Sequence, residues 1–323
     1  MSHNHLVNHI RHHELKSDQT LHVIGVCTNP VRYHSRYRLF REWKAAMTET
    51  PNVKVYGVEA AFGDRHHEVT ESNEGQDLQL RTHSEIWIKE NMINLGVKYL
   101  LPRDWKYMAW VDADVFFRDP YWARETLHQL QHYSVVQPWS DCADLGPLGN
   151  ISRHFRSFGY QHQRRKPKQM HPTQPYEYAH SGFAWACRRD FFEAANGLLD
   201  FAILGSADHH MAFAMIGEVK NTIHRGMSPG FFRRCFEFQD RVRRVTKDEV
   251  GFTPGRIEHM FHGPKARRYY RERWQLLVDS GFDPDTDLMY DPAGVIQLIG
   301  KPRLEQAIKM YNRSRFEDSI EES

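Results

Sequence analysis

The segment Met108 to Phe117, MAWVDADVFF, constrains this chain most. A short apolar run, Met108 to Val111, ends in Asp112-Ala113-Asp114. It resumes as Val115-Phe116-Phe117 and stops at Asp119-Pro120. Short runs rich in β-branched and aromatic residues read as strands buried in an α/β sheet. Carboxylates at the end of such a strand stand outside the carboxyl edge, where open α/β sheets bind ligands. Two hard oxygen donors there suit Mg²⁺ or Mn²⁺. A chain of this length holds about one Asp-x-Asp by chance, so the preceding strand is what singles this pair out. Asp283, Asp285 and Asp287 repeat the spacing in a Pro-containing stretch with no strand before them. They read as a solvated turn.

Other elements can be placed around that strand. Leu21 to Cys27 reads as a first strand, broken at Thr28-Asn29-Pro30, and Ser35 to Glu49 reads as a helix with Leu39, Trp43, Ala46 and Met47 on one face. No GxGxxG follows the strand, so a dinucleotide site is not indicated. Val53 to Val58 reads as a second strand and residues 63 to 77 as polar turns. A helix is expected to start at Ser84 as N-cap and to carry Ile86, Ile93, Val97 and Leu100, with Lys89, Glu90 and Asn91 on a solvated face. Asp119-Pro120 opens another helix, and Val135-Val136 reads as a short strand.

Residues 146 to 175 mix Arg153, Arg156, Arg164, Arg165, Lys166 and Lys168 with Phe155, Phe158 and Tyr160. They read as a long mobile loop, either a lid over an anionic or glycan substrate or a solvated insertion. A strand from Phe183 to Cys187, a helix near 190 to 196, and an Asp208-His209-His210 helix start follow. Residues 232 to 249, with five arginines, read as a mainly solvated helix face. Ile257 to His262 reads as a strand before Gly263-Pro264, and Lys265 to Asp279 as a helix. One α/β domain over about 20–279 is expected. A His-rich arm (1–19) precedes it, and a tail (280–323) with one helix and an acidic end follows.

With 43 basic and 41 acidic residues the chain lacks the strong positive charge expected of a dedicated nucleic-acid binder. No window approaches the roughly 18 apolar residues of a membrane span, and the N-terminus has no apolar signal core. The four cysteines, Cys27, Cys142, Cys187 and Cys235, are far apart and form no CxxC, which fits free thiols in a reducing compartment. The expected location is cytoplasmic.

The order of these segments resembles a known family: KEN on a helix, WKYMAWVDADVFF, HSGFAWACRRDFF, GSADHHMA and HMFHG. Over about residues 20 to 280 the chain resembles the DXD-containing nucleotide-sugar glycosyltransferases of the GT-A fold, in particular galactosyltransferase-like members of bacteria and large viruses. The resemblance implies a Rossmann-like α/β domain with a mixed central sheet flanked by helices. It implies a UDP-sugar donor, a glycan or glycoprotein acceptor, and Mn²⁺ or Mg²⁺. Asp112 would lie near the ribose and the metal, Asp114 would ligate the ion, and His262 would complete the site. Lys265 would reach the diphosphate, and Lys89 and Asn91 would lie on the donor side. Thr28, Asn29 and Arg32 would line the nucleoside pocket. Gly182, Trp185 and His209 would face the acceptor, with Asp208 as general base. The inverting pattern has two adjacent acids, whereas Ala207 precedes Asp208 here, so inversion and retention both stay open.

Two other readings compete. HAD phosphatases also end a strand in Asp-x-Asp, with the first Asp, here Asp112, as nucleophile; their motif sits on the first strand of the domain. A non-catalytic nucleotide- or glycan-binding module would not need Asp112, Asp114 and His262 intact.

Overall fold

The computed structural model describes residues 19–72, 75–164, 179–269 and 272–320. Residues 1–18 of the expected arm and 165–175 of the expected lid lie outside them. In chain order the first elements are β1 (Leu21–Thr28), α1 (His34–Thr48), β2 (Val53–Phe62), β3 (Asp77–Thr82) and α2 (Lys89–Leu100). Then come β4 (Tyr107–Val111), β5 (Val115–Phe117), α3 (Trp122–Gln129), β6 (Val135–Gln137) and β7 (Asp141–Leu145). β8 (Ile151–Ser157), α4 (Phe158–Gln163), β9 (Ala179–His180), β10 (Ala184–Arg188), α5 (Arg189–Ala195) and α6 (Ala207–Met215) follow. The last are α7 (Pro229–Thr246), β11 (Gly251–Phe252), β12 (Arg256–His259), α8 (Arg273–Asp279), β13 (Leu288–Tyr290), β14 (Ile296–Leu298) and α9 (Pro302–Ser314).

The central sheet is mixed, in the order β11-β6-β10-β4-β1-β2-β3. β4, β1, β2 and β3 run parallel, and β10 lies antiparallel to β4 and β6. β1 shows why it sits inside the sheet. Leu21, Val23 and Cys27 face one apolar cluster with Phe40, Trp43 and Met47 of α1, and Ile24 faces a second cluster with Met92, Ile93 and Val97 of α2. A strand covered on both faces by helices needs such a near-continuous apolar run. Gly25 lies under the Trp43 ring, and Gly96 brings α2 close to the Val58 side chain.

A second sheet, β5-β12-β7-β8-β9, adjoins the first. The chain crosses from one to the other at Asp112–Asp114: β4 ends in the central sheet, and β5 pairs antiparallel with β12. The Asp-x-Asp segment is thus a crossing between two sheets, which fixes where its side chains point.

Several expectations are corrected. The α2 helix begins at Lys89 rather than Ser84. The Ser84 hydroxyl instead accepts from Leu298 N at 3.2 Å, tying this segment to β14. The polar edge strand β3 had no clear apolar signal. Residues 151–163 are strand and helix, not loop: β8 pairs with β7, and Phe155 and Phe158 are buried between exposed arginines. Trp122, not Pro120, begins α3. The span 265–279 is broken into a 3₁₀ turn, Lys265–Arg268, a left-handed Tyr269 (φ 44°), and α8. α7 is amphipathic rather than only solvated, with Phe231, Cys235, Phe238 and Val242 buried. Asp287 is buried, accepting from Asp283 N at 2.8 Å, so the acidic triplet is a turn but not a wholly solvated one. The tail adds the β13–β14 hairpin, and Val295, Ile296, Leu304 and Ile308 join the main core.

Trp43 is fully buried against Gly25. A methyl group there must displace an enclosed ring, so Gly25→Ala should lower stability by about 1–3 kcal/mol in urea unfolding.

Candidate metal and substrate site

Three sequence-distant segments meet at the edge where β1 and β4 end. At the crossing, Asp112 N donates to Phe183 O at 2.8 Å and Val115 N to Asp112 O at 3.0 Å, folding the Asp-x-Asp segment into a turn. Met260 N donates to Asp114 O at 2.8 Å, and His259 pairs in register with Val115. Backbone pairing therefore carries the end of β12 to Asp114.

Asp114, His259 and His262 form a cluster whose ligand-type atoms all lie within 4.8 Å of one another. Asp114 Oδ2 is 2.9 Å from His262 Nε2 and 3.7 Å from His259 Nε2. His259 Nδ1 is taken by Asp144 at 2.8 Å, and Asp144 is also paired with Lys265. That commitment leaves His259 Nε2 for the cluster. His262 Nδ1 lies 3.5 Å from Glu317 Oε2, and the Arg268 guanidinium reaches His262 Nε2 at 2.9 Å. The buried Asp114 Oδ1 has no hydrogen-bond partner.

A buried carboxylate oxygen left unpaired is costly. One carboxylate and two imidazoles, one of them backed by a hydrogen-bonded carboxylate, form a donor set that fits a divalent ion. Burial would raise the Asp114 carboxyl, but the His259 and His262 imidazoles outweigh it and hold the group well below the usual range. The cluster differs from the expected Asp112, Asp114 and His262. His259 takes part, and Asp112 Oδ1 is engaged by the Lys89 ammonium. Burial pushes Asp112 up to about 6, against the opposing pull of Lys89.

Beyond Asp112 lies a second polar group. Lys89 and Glu90 open α2, and Asp208 and His209 open α6; all four line the same cleft. Burial pushes Glu90 up to about 8, with Lys89 opposing and the Asp208 charge adding to the rise. Asp208 Oδ1 accepts from His209 N at 3.0 Å. A Cβ at Gly182 would lie 2.5 Å from Asp208 Oδ2, so glycine there lets the carboxylate stand over the backbone. His180 stacks on Phe183 with ring centroids 3.9 Å apart and is pushed down to about 3, chiefly by burial.

The cleft has a volume of about 1050 Å³, and Thr28, Lys89, Asp112, Asp114, Gly182, Asp208, His209, His262 and Lys265 are among its lining residues. The other four expected residues are engaged elsewhere. Asn29 caps the turn at Tyr33 N (2.9 Å), and Arg32 is exposed beside Glu68. The Asn91 amide holds Gly294 O and Ile296 N, bracing the β13–β14 hairpin. Trp185 is in the core, its indole donating to Ser181 O at 2.7 Å. Residues the sequence reading missed are His259, Asp144, Glu90 and Glu317. The spacing of the two histidines in EHMFHG was the available signal for the first.

No protein-family model matches the chain, and no curated protein matches it. Among solved structures it is similar to the catalytic domain of Drosophila β1,4-galactosyltransferase 7 in complex with xylobiose. Identity is 13% over 90% of this chain and 98% of that one, with a TM-score of 0.40. A mutant of that enzyme in complex with manganese, UDP-Gal and xylobiose gives 13%, 90% and 98%, with a TM-score of 0.39. Residues 1–349 of S. aureus TarS give 9% identity over 80% of this chain and 65% of that one, with a TM-score of 0.42. Likeness at this level leaves the functional reading to this chain's own residues.

The buried imidazoles set a pH dependence. Burial lowers His22 and His259 to about 4 and His180 and His210 to about 3. The unfolded chain binds protons at these sites below about 6.5 and the folded chain does not. Their contribution is therefore complete above that pH and is lost as pH falls toward 4. His210→Gln should flatten the fall in urea-unfolding free energy between pH 6 and 4 by about 1 kcal/mol per pH unit. An unchanged slope would contradict the assignment.

Proposed function

We propose that the chain is a divalent-metal-dependent glycosyltransferase. It moves a sugar from a nucleotide-diphosphate sugar, with a UDP-sugar favoured, to a hydroxyl of a glycan or glycoprotein acceptor. The observation that carries this reading is the Asp114–His259–His262 cluster, with its unpartnered carboxylate oxygen, in one cleft with a separate carboxyl group at Asp208. Asp114, His259 and His262 would hold the ion, Mn²⁺ being favoured over Mg²⁺ by the imidazoles. A bound divalent ion supplies charge stabilisation to a departing diphosphate.

The protein's own groups supply the rest. The Lys265 and Arg268 side chains border the cluster and add positive charge on the diphosphate side. Lys89 is held on Asp112 and also feels the Asp208 charge. Asp208 is the acceptor-side proton acceptor, able to take the hydroxyl proton as it attacks. The imidazole of His209 and the open backbone at Gly182 border the acceptor space.

The phosphatase alternative would need Asp112 as nucleophile. Its engagement by Lys89 and the gathering of donors on Asp114 disfavour that role. Among the described residues no helix is long and apolar enough to cross a membrane. The four free, buried cysteines support a cytoplasmic location.

The reading predicts that UDP, titrated calorimetrically, binds with Mn²⁺ and not with EDTA, and that GDP binds more weakly. Asp208→Asn should retain UDP–Mn²⁺ binding and lower transfer by about 10²-fold or more. Absence of nucleotide binding under any metal would move the assignment to the phosphatase or the non-catalytic module.

A further inference from the structure

The segment after α9 packs beside the cleft, which Arg315 lines. The Glu317 side chain is 1% exposed. It is ion-paired with Arg36 and with Arg315, the latter at 2.7 Å. Arg36 in turn donates to Thr28 O at 2.6 Å, at the end of β1. Asp318 accepts from the backbone of His34 (2.9 Å) and Ser35 (2.8 Å), capping the start of α1. The Tyr33 hydroxyl donates to Asn312 O and accepts from Phe316 N. On the other side the segment lies against the metal loop. Gly263, at φ +85°, has Glu317 Cα 2.7 Å and Phe316 O 2.8 Å from where a Cβ would sit. Burial would raise the Glu317 carboxyl, but Arg315 and Arg36 hold it well below the usual range, so it is an anion at neutral pH.

We propose that Glu317 is a positioning residue of the metal site, orienting the His262 imidazole from behind as Asp144 orients His259. This rests on the metal-dependent reading above. On both sides of Asp114 a carboxylate stands behind an imidazole, hydrogen-bonded at His259 and in longer ionic contact at His262. Each imidazole turns Nε2 toward the Asp114 carboxylate, and each has a buried carboxylate at Nδ1, at 2.8 Å for Asp144 and 3.5 Å for Glu317. The His262 Nδ1 makes no hydrogen bond at its present setting, so the Glu317 anion is in place to orient a proton there. Such carboxylates fix the tautomer and ring orientation of a metal-binding histidine. Because Arg36 ties the same carboxylate to the end of β1, one anion links the nucleotide-side strand end to the metal ligand.

The rival account is that Glu317 only docks the segment and neutralises Arg36 and Arg315. Mn²⁺ binding to the full chain without nucleotide, followed by electron paramagnetic resonance of free Mn²⁺, separates the two. Glu317→Gln and Glu317→Asp should each raise the Kd for Mn²⁺ by about tenfold or more. Glu317→Asp keeps a negative charge in the pocket of the two arginines and shortens its reach toward His262, so it carries the test if Glu317→Gln does not fold. Asp318→Asn loosens the docking alone; it should lower Tm and leave the Kd unchanged. Wild-type affinity in both folded Glu317 variants would overturn the proposal, as would an equal loss in Asp318→Asn. A wild-type chain that binds no Mn²⁺ would overturn the metal reading itself, a separate result.

Discussion

The site depends on the half-buried Asp114 carboxylate being held beside two buried imidazoles. One of its oxygens faces both histidine Nε2 atoms, and the other is buried without a partner. Three acids converge on this small volume: Asp114 itself, Asp144 behind His259 and Glu317 behind His262. Buried charges are tolerated only when opposite charges and hydrogen bonds surround them. Lys265, Arg36, Arg315 and Arg268 provide that surround. The result is a network of ion pairs joining β12, β7, α1 and the segment after α9 around one carboxylate.

The two sheets make this convergence possible. Had β4 continued straight through Asp112, alternate residues would have pointed to opposite faces of one sheet. Instead the chain turns at Asp112–Val115 and enters a second sheet, in which β12, the neighbour of β5, delivers His259. Backbone strain is present here too. Phe183 (φ 78°) and Ser206 (φ 73°) are left-handed non-glycine residues, and both line the cleft. Such conformations persist where surrounding structure enforces them, and they cluster at functional sites. Arg273 and Trp274 both donate to the Ser206 hydroxyl and hold the start of α6 in place.

What the sequence made legible follows from locality. The parallel strands were visible as apolar runs, and the acidic pair stood out because a strand precedes it. His262 was marked by the glycine after it. His259 was harder: its spacing from His262 was the one local signal, and only the partner strand reveals which way a histidine inside a strand points. Glu90 was read as part of a solvated face, yet α2 packs so that its first turn enters the cleft. Glu317 was hidden in an acidic tail. Its role depends on contacts with Arg36 and His262, 281 and 55 residues away in sequence, which no local pattern encodes. Residues 151–163 misled because exposed arginines alternate with buried Phe155 and Ser157, a pattern that only pairing with β7 resolves into a strand.

The most direct test of the account is diffraction at the manganese absorption edge from crystals grown with Mn²⁺ and UDP. The account predicts one anomalous peak within roughly 2.0–2.4 Å of side-chain atoms of Asp114, His259 and His262. A peak held by other residues, or UDP bound in the cleft with no ion at Asp114, would contradict it.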